Sequence, residues 1–239
     1  MRLDRLVLIL ATVAVAMPTA PASRVAATAP ILSEVQKHLD DAQKCFDNGT
    51  YDLALAHADM VLVDSELTYA VQFQNVPEAI KPNAEKALGQ ALKTWEESLP
   101  NDLKFKRIED AAQADVLLRF KPDVRMGREP VAGYATWKRV INRDENGKVN
   151  AKFTSDLQIR TMTLAWKAMP MEAMRHEIMH EVGHVLGLED CDDTTSIMGP
   201  LDISKPVHKP RPHEVRAVFE LRTQANRIRR EAAAQRIKD

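Results

Sequence analysis

One run of residues restricts this chain more than any other. It reads His180-Glu181-Val182-Gly183-His184-Val185-Leu186-Gly187-Leu188-Glu189-Asp190, an H-E-x-x-H-x-x-G-x-x-D pattern. On an α-helix, residues four apart differ by about 6 Å of rise and about 40° of rotation. The imidazoles of His180 and His184 therefore leave one face and can grip one ion. Glu181 stands about 100° round the helix from His180, where it can reach a water bound to that ion rather than the ion itself. Gly187 tolerates φ > 0, so the helix can stop there and the chain can turn back. The turn returns Asp190 toward the histidines as a third ligand. Two imidazoles and a carboxylate suit Zn²⁺, and three protein ligands leave a fourth position for water.

The same stretch offers a second register, His176-Glu177-Ile178-Met179-His180. In that frame the third-ligand position falls on Leu186, which cannot bind metal. The frame is rejected, and His176 is read as a packing residue one turn before the first ligand.

These residues resemble the metzincin zinc metalloproteases, and the run from His180 to Leu188 is most similar to the matrixin (matrix metalloproteinase-type) branch. Ser196-Ile197-Met198-Gly199-Pro200 resembles the methionine turn that such enzymes carry beneath the metal. Most members have His as third ligand, and Asp190 is a departure with precedent in the snapalysins. The resemblance implies one catalytic zinc on His180, His184 and Asp190, Glu181 as general base, Met198 as the floor of the site, and a protein or peptide substrate.

The implied fold class is α+β: a twisted mixed sheet backed by helices, with the active-site helix and the methionine turn, over residues 66–224. Strand-like patterns at 67–73, 105–108, 114–121, 133–140 and 156–162 and a helical one at 77–99 follow the order of that family's catalytic domain. Residues 122–131 read as a loop and 144–147 as a turn. In the matrixin plan one strand forms the upper rim of the cleft and pairs with an extended peptide; residues 133–139, and among them Gly133, Tyr134, Ala135 and Thr136, are the candidates. The segment 201–212, with Lys205, His208, Lys209 and Arg211, should wall the pocket beyond the cleaved bond. Between His57 and His176 the sequence has no histidine, which removes a His-based structural zinc site. Asp144, Glu145 and Asn146 offer oxygens to calcium, but the spaced series of an EF-hand is missing and a solvated turn is preferred.

Residues 1–22 read as an export signal: Arg2 and Arg5, an apolar run from Leu6 to Met17, and a small-residue cleavage site at Ala20-Pro21-Ala22. A secreted or periplasmic protein is expected, with no stable membrane span in the mature chain. Residues 23–65 hold a spacer and a helical hairpin similar to one tetratricopeptide-type pair. One pair cannot bury its apolar face alone. Packing on the catalytic domain is favoured, with a propeptide or partner docking as alternatives. Residues 225–239 read as a basic, solvated helical tail. A formal net charge of −1 suggests no nucleic-acid partner. Cys45 and Cys191 permit one disulfide, which would pin the hairpin beside the metal. Cys45 lacks the flanking motif of a latency cysteine. The alternative function is a catalytically silent zinc-containing binding or adaptor protein, but Glu181 is intact.

Overall fold

The computed structural model describes residues 29–62 and 65–237. The expected export signal and most of the spacer lie outside the described residues. The elements are α1 (Ser33–Asp47), α2 (Tyr51–Leu62), β1 (Glu66–Phe73), α3 (Lys81–Ser98), β2 (Lys104–Arg107), β3 (Val116–Lys121), β4 (Val124–Met126), β5 (Glu129–Val131), β6 (Gly133–Arg143), β7 (Val149–Arg160), α4 (Met171–Val185) and α5 (Pro212–Arg236). No helix among the described residues is long and apolar enough to cross a membrane.

The sheet has the order β2-β1-β3-β7-β6. Its first four strands run parallel, and β6 pairs antiparallel to β7 at the edge. Strand β3 buries Val116, Leu118 and Phe120 at alternate positions, and β7 does the same with Phe153, Leu157 and Ile159. That period of two places one apolar face under the helices. Helix α3 answers with Ala84, Ala87, Leu88, Ala91, Leu92 and Trp95, a helical stripe that is wholly buried. The indole N–H of Trp95 donates to the Met179 carbonyl at 3.0 Å, tying α3 to α4.

Three expectations need correction. Residues 122–131 carry a small antiparallel hairpin, β4–β5, rather than plain loop. The C-terminal tail is not solvated on all sides: α5 runs unbroken through residue 225, and Leu221, Ala225, Ile228 and Ala232 are buried against Val35, Leu39, Ala42, Ala54, Ala58 and Val61. The hairpin and α5 thus supply one another's missing apolar partner. Finally, Cys45 and Cys191 are free thiols. Residues 30–32 sit beside Leu188, and Cys45 lies 13 residues further along α1 from Leu32, about 20 Å away at 1.5 Å per residue. It packs with the hairpin cluster while Cys191 packs on the main core.

The Asp144–Gly147 turn forms as expected. Asp144 Oδ1 accepts from the N–H groups of Asn146 and Lys148, both at 2.9 Å, so this carboxylate is used in closing the turn.

Candidate metal centre

Helix α4 is buried on most of its surface, including Met174, Ile178, Met179 and Val182. It stops at Gly187, whose φ is +99°. The N–H of Gly187 donates to the His184 carbonyl at 3.0 Å and that of Leu188 to the Gly183 carbonyl at 2.9 Å. This double bond pattern is the Schellman ending, for which a left-handed glycine is the favoured residue.

The same turn prepares a ligand. His184 Nδ1 donates to the Leu188 carbonyl at 2.9 Å, and His180 Nδ1 donates to the Ile197 carbonyl at 3.0 Å. Both rings are therefore fixed with Nε2 turned away from the backbone and toward Asp190, the usual arrangement behind ligating histidines. Asp190 Oδ1 lies 3.2 Å from His180 Nε2 and 3.3 Å from His184 Nε2. Zinc bonds of about 2.0–2.1 Å at tetrahedral angles require ligand atoms about 3.3 Å apart. The two distances to Asp190 match that, and among the described residues these are the three His, Cys, Asp or Glu side chains whose ligand atoms gather, all within 4.8 Å of one another. The residues fit Zn²⁺.

The electrostatics agree with a cation site. Burial pushes His180 down, but its hydrogen bond to Asp190 and the charges of Glu177, Glu181 and Asp190 outweigh it and lift the ring to about 9. Hydrogen bonds from His180 and His184 hold Asp190 well below the usual carboxylate range. Glu181 is 3% exposed. Burial, then the neighbouring charge of Glu177, push it well above the ordinary range.

Beneath the histidines lies Met198, buried at 1% exposure. Its N–H donates to Glu214 Oε1 at 3.0 Å, and the hydroxyl of Ser196 donates to the same oxygen. Glu214, fully buried in the first turn of α5, also accepts from the Arg211 N–H. The methionine turn is thus held by the closing helix.

A cleft of about 690 Å³ opens over the three ligands. Gly133, Tyr134 and Ala135 line it as expected, while Thr136 does not and faces another depression with Asp156. Met198, Gly199, Pro200 and Leu201 also line it, but Lys205, His208, Lys209 and Arg211 do not, so the basic segment is outside the wall. Sequence reasoning missed Leu32 and Glu177, which line the cleft, and Glu214, whereas Trp137, which also lines it, lies within the strand 133–139 expected at the rim. Glu177 carried a signal, being one turn before Glu181. The contribution of Leu32 had none. His176 packs as expected and does more: its Nδ1 accepts from the Val207 N–H at 2.9 Å, holding the segment after the methionine turn.

A family model described as Matrixin matches residues 62–215. The chain belongs to the matrixin family. That match places this matrixin among the zinc metallopeptidases and spans every element from β1 to the start of α5. A search of curated proteins gave no match. One solved structure that it resembles is the crystal structure of archaemetzincin from Methanopyrus kandleri, at 13% identity and a TM-score of 0.42, over 66% of this chain and 96% of that one.

Proposed function

We propose that this matrixin is an exported zinc-dependent endopeptidase, with Glu181 as general base. The observation that carries the reading is the gathering of His180, His184 and Asp190, with ligand atoms within 4.8 Å of one another and a nearly buried carboxylate beside them. Zinc held there would supply Lewis acidity and lower the pKa of a bound water. Glu181 takes a proton as water attacks the scissile carbonyl and delivers it to the leaving amide nitrogen. Glu181 is suited to this cycle because burial makes its carboxyl willing to hold a proton.

Strand β6 supports the endopeptidase reading. It ends the sheet, and no strand pairs its outer side among the described residues. An extended peptide can add there by main-chain hydrogen bonds, with Gly133–Ala135 facing the cleft. Export rests on the apolar run and cleavage site in residues 1–22.

The test compares peptide hydrolysis by wild type, chelated wild type and Glu181→Ala. Loss of a positioned acid–base group should lower the rate about 10²- to 10⁴-fold with zinc still bound. Stoichiometric zinc without hydrolysis of any unstructured protein would favour the silent binding protein instead.

A further inference from the structure

The segment ahead of α1 reaches the metal loop directly. Ile31 forms an antiparallel bridge with Leu188. The Leu32 N–H donates to the Gly187 carbonyl at 2.9 Å, and the Glu189 N–H donates to the Pro30 carbonyl at 3.0 Å. Residues 30–32 are therefore paired with residues 187–189, the short stretch that leads into Asp190. Leu32 also lines the cleft.

The contacts continue into α1. Glu34 accepts from the indole N–H of Trp137 at 2.7 Å, and Trp137 lines the cleft. Arg139 adds a second tie. Its side chain is 1% exposed and stands 3.7 Å from Glu34. It donates to the Met60 carbonyl on α2 at 3.2 Å and to the Val185 carbonyl at 3.5 Å. Val185 is the last residue of the metal helix, where a cation is favoured by the helix dipole. One buried guanidinium therefore bridges β6, both hairpin helices and the end of α4.

We propose that the N-terminal hairpin is a permanent part of the metal centre, and that Pro30–Leu32 positions the loop delivering Asp190 rather than belonging to a segment released on maturation. This rests on the metal-site reading above. Removing the hairpin would strip two backbone partners from residues 187–189 and bare the apolar stripes of α1, α2 and α5. A loop without those partners keeps its bonds to Gly183, His184 and Met198 but is less preorganised, which weakens binding.

Leu32 has φ −53° and ψ 125°, so proline fits its backbone without strain. Ile31 pairs with Leu188 in a β-bridge, and a residue before proline favours the extended backbone of such pairing. Leu32→Pro deletes the N–H that bonds Gly187, while Leu32→Ala shortens the side chain and keeps that N–H. Zinc affinity, measured by competition with a chromophoric chelator, should be about two- to tenfold weaker in Leu32→Pro than in Leu32→Ala, the worth of one backbone hydrogen bond. Hydrogen exchange of the Glu189 amide should be faster in Leu32→Pro as well. Equal affinity and equal exchange in the two variants would overturn the proposal. Failure of wild type to take zinc would sink the metal-site reading instead, and the exchange comparison would still decide the strap. A protease site placed between α2 and β1 gives an independent check: after cutting, the two pieces should co-elute with zinc retained. A piece starting beyond the cut that separates freely and holds zinc as tightly as wild type contradicts the proposal.

Discussion

The thioether of Met198 lies directly against the backbone of Gly183, so close that a Cβ at position 183 would collide with its sulfur. Gly183 sits between the two ligand histidines on α4, and the glycine is what lets the methionine turn come up under them. Gly183→Ala should therefore cost about 1–3 kcal/mol of stability, the usual range for overpacking. Met198→Ala on that background should recover part of it, since the two changes share one space. Thermal denaturation of the four proteins in the cycle checks this, and additive losses would show that the contact does not set the cost.

Zinc uptake should release protons. His180 holds a proton up to about pH 9, and a ligating imidazole must be neutral. Below that pH the ion has to displace the proton, so apparent affinity should rise about tenfold per pH unit between pH 7 and 9. Calorimetry in buffers of different ionisation enthalpy reads the released protons. A heat of binding that is the same in all buffers would contradict the expectation.

The buried histidines should make the fold lose stability in acid. Burial pushes His176 down to about 4 and lowers His38 and His57, which face one another between α1 and α2 with Nδ1 atoms 3.0 Å apart. Their unfolded values are near 6.5. At these three sites the unfolded chain then binds more protons, so their contribution to stability rises with pH between about 4 and 6.5 and is lost as pH falls through that window, whereas the raised carboxyl of Glu181 acts in the opposite sense. His176→Gln keeps a polar group for the Val207 N–H but cannot titrate. Its urea midpoint should vary less with pH over that range than that of wild type.

Glu214 anchors the methionine turn by accepting from Ser196, Met198 and Arg211 at once. Glu214→Ala leaves those donors without their acceptor in a buried place, at a cost of about 1–3 kcal/mol or more. Chemical denaturation gives the loss, and zinc affinity should fall with it because His180 bonds the Ile197 carbonyl in the same turn. Unchanged affinity would mean that the turn is held without Glu214.

Ile228 is 2% exposed on α5 within the cluster formed with the hairpin. Ile228→Ala should cost about 2–5 kcal/mol. Limited proteolysis of α1 and α2 should speed up in that variant. Cleavage at the wild-type rate would mean that the hairpin does not depend on α5.

The metal helix is legible in the sequence because ligand chemistry demands fixed residue types at fixed spacing, and a helix converts that spacing into one face. Helix α3 is legible for a similar reason, since its apolar stripe from Ala84 to Trp95 has no charge within it. The partner of the hairpin is harder to see. Leu221, Ala225, Ile228 and Ala232 do recur at helical spacing, but Arg227, Arg229, Arg230 and Arg236 surround them and make the segment read as solvated. Strands β4 and β5 have three residues each, too few to show a period. The strap at residues 30–32 acts through backbone groups, which leave no mark on side-chain identity. Two cysteines suggest a bond by their even number, yet nothing in the sequence states the distance between Cys45 and Cys191.

The central claim is the identity of the ligand set, and Cys191 is its nearest rival because it lines the same cleft one residue beyond Asp190. X-ray absorption at the zinc edge of the loaded protein separates the two directly. The account predicts nitrogen and oxygen scatterers alone at about 2.0–2.2 Å, two of them imidazoles, with one oxygen lost or replaced in Asp190→Ala. A sulfur scatterer at about 2.3 Å, or a spectrum unchanged by Asp190→Ala, would contradict it.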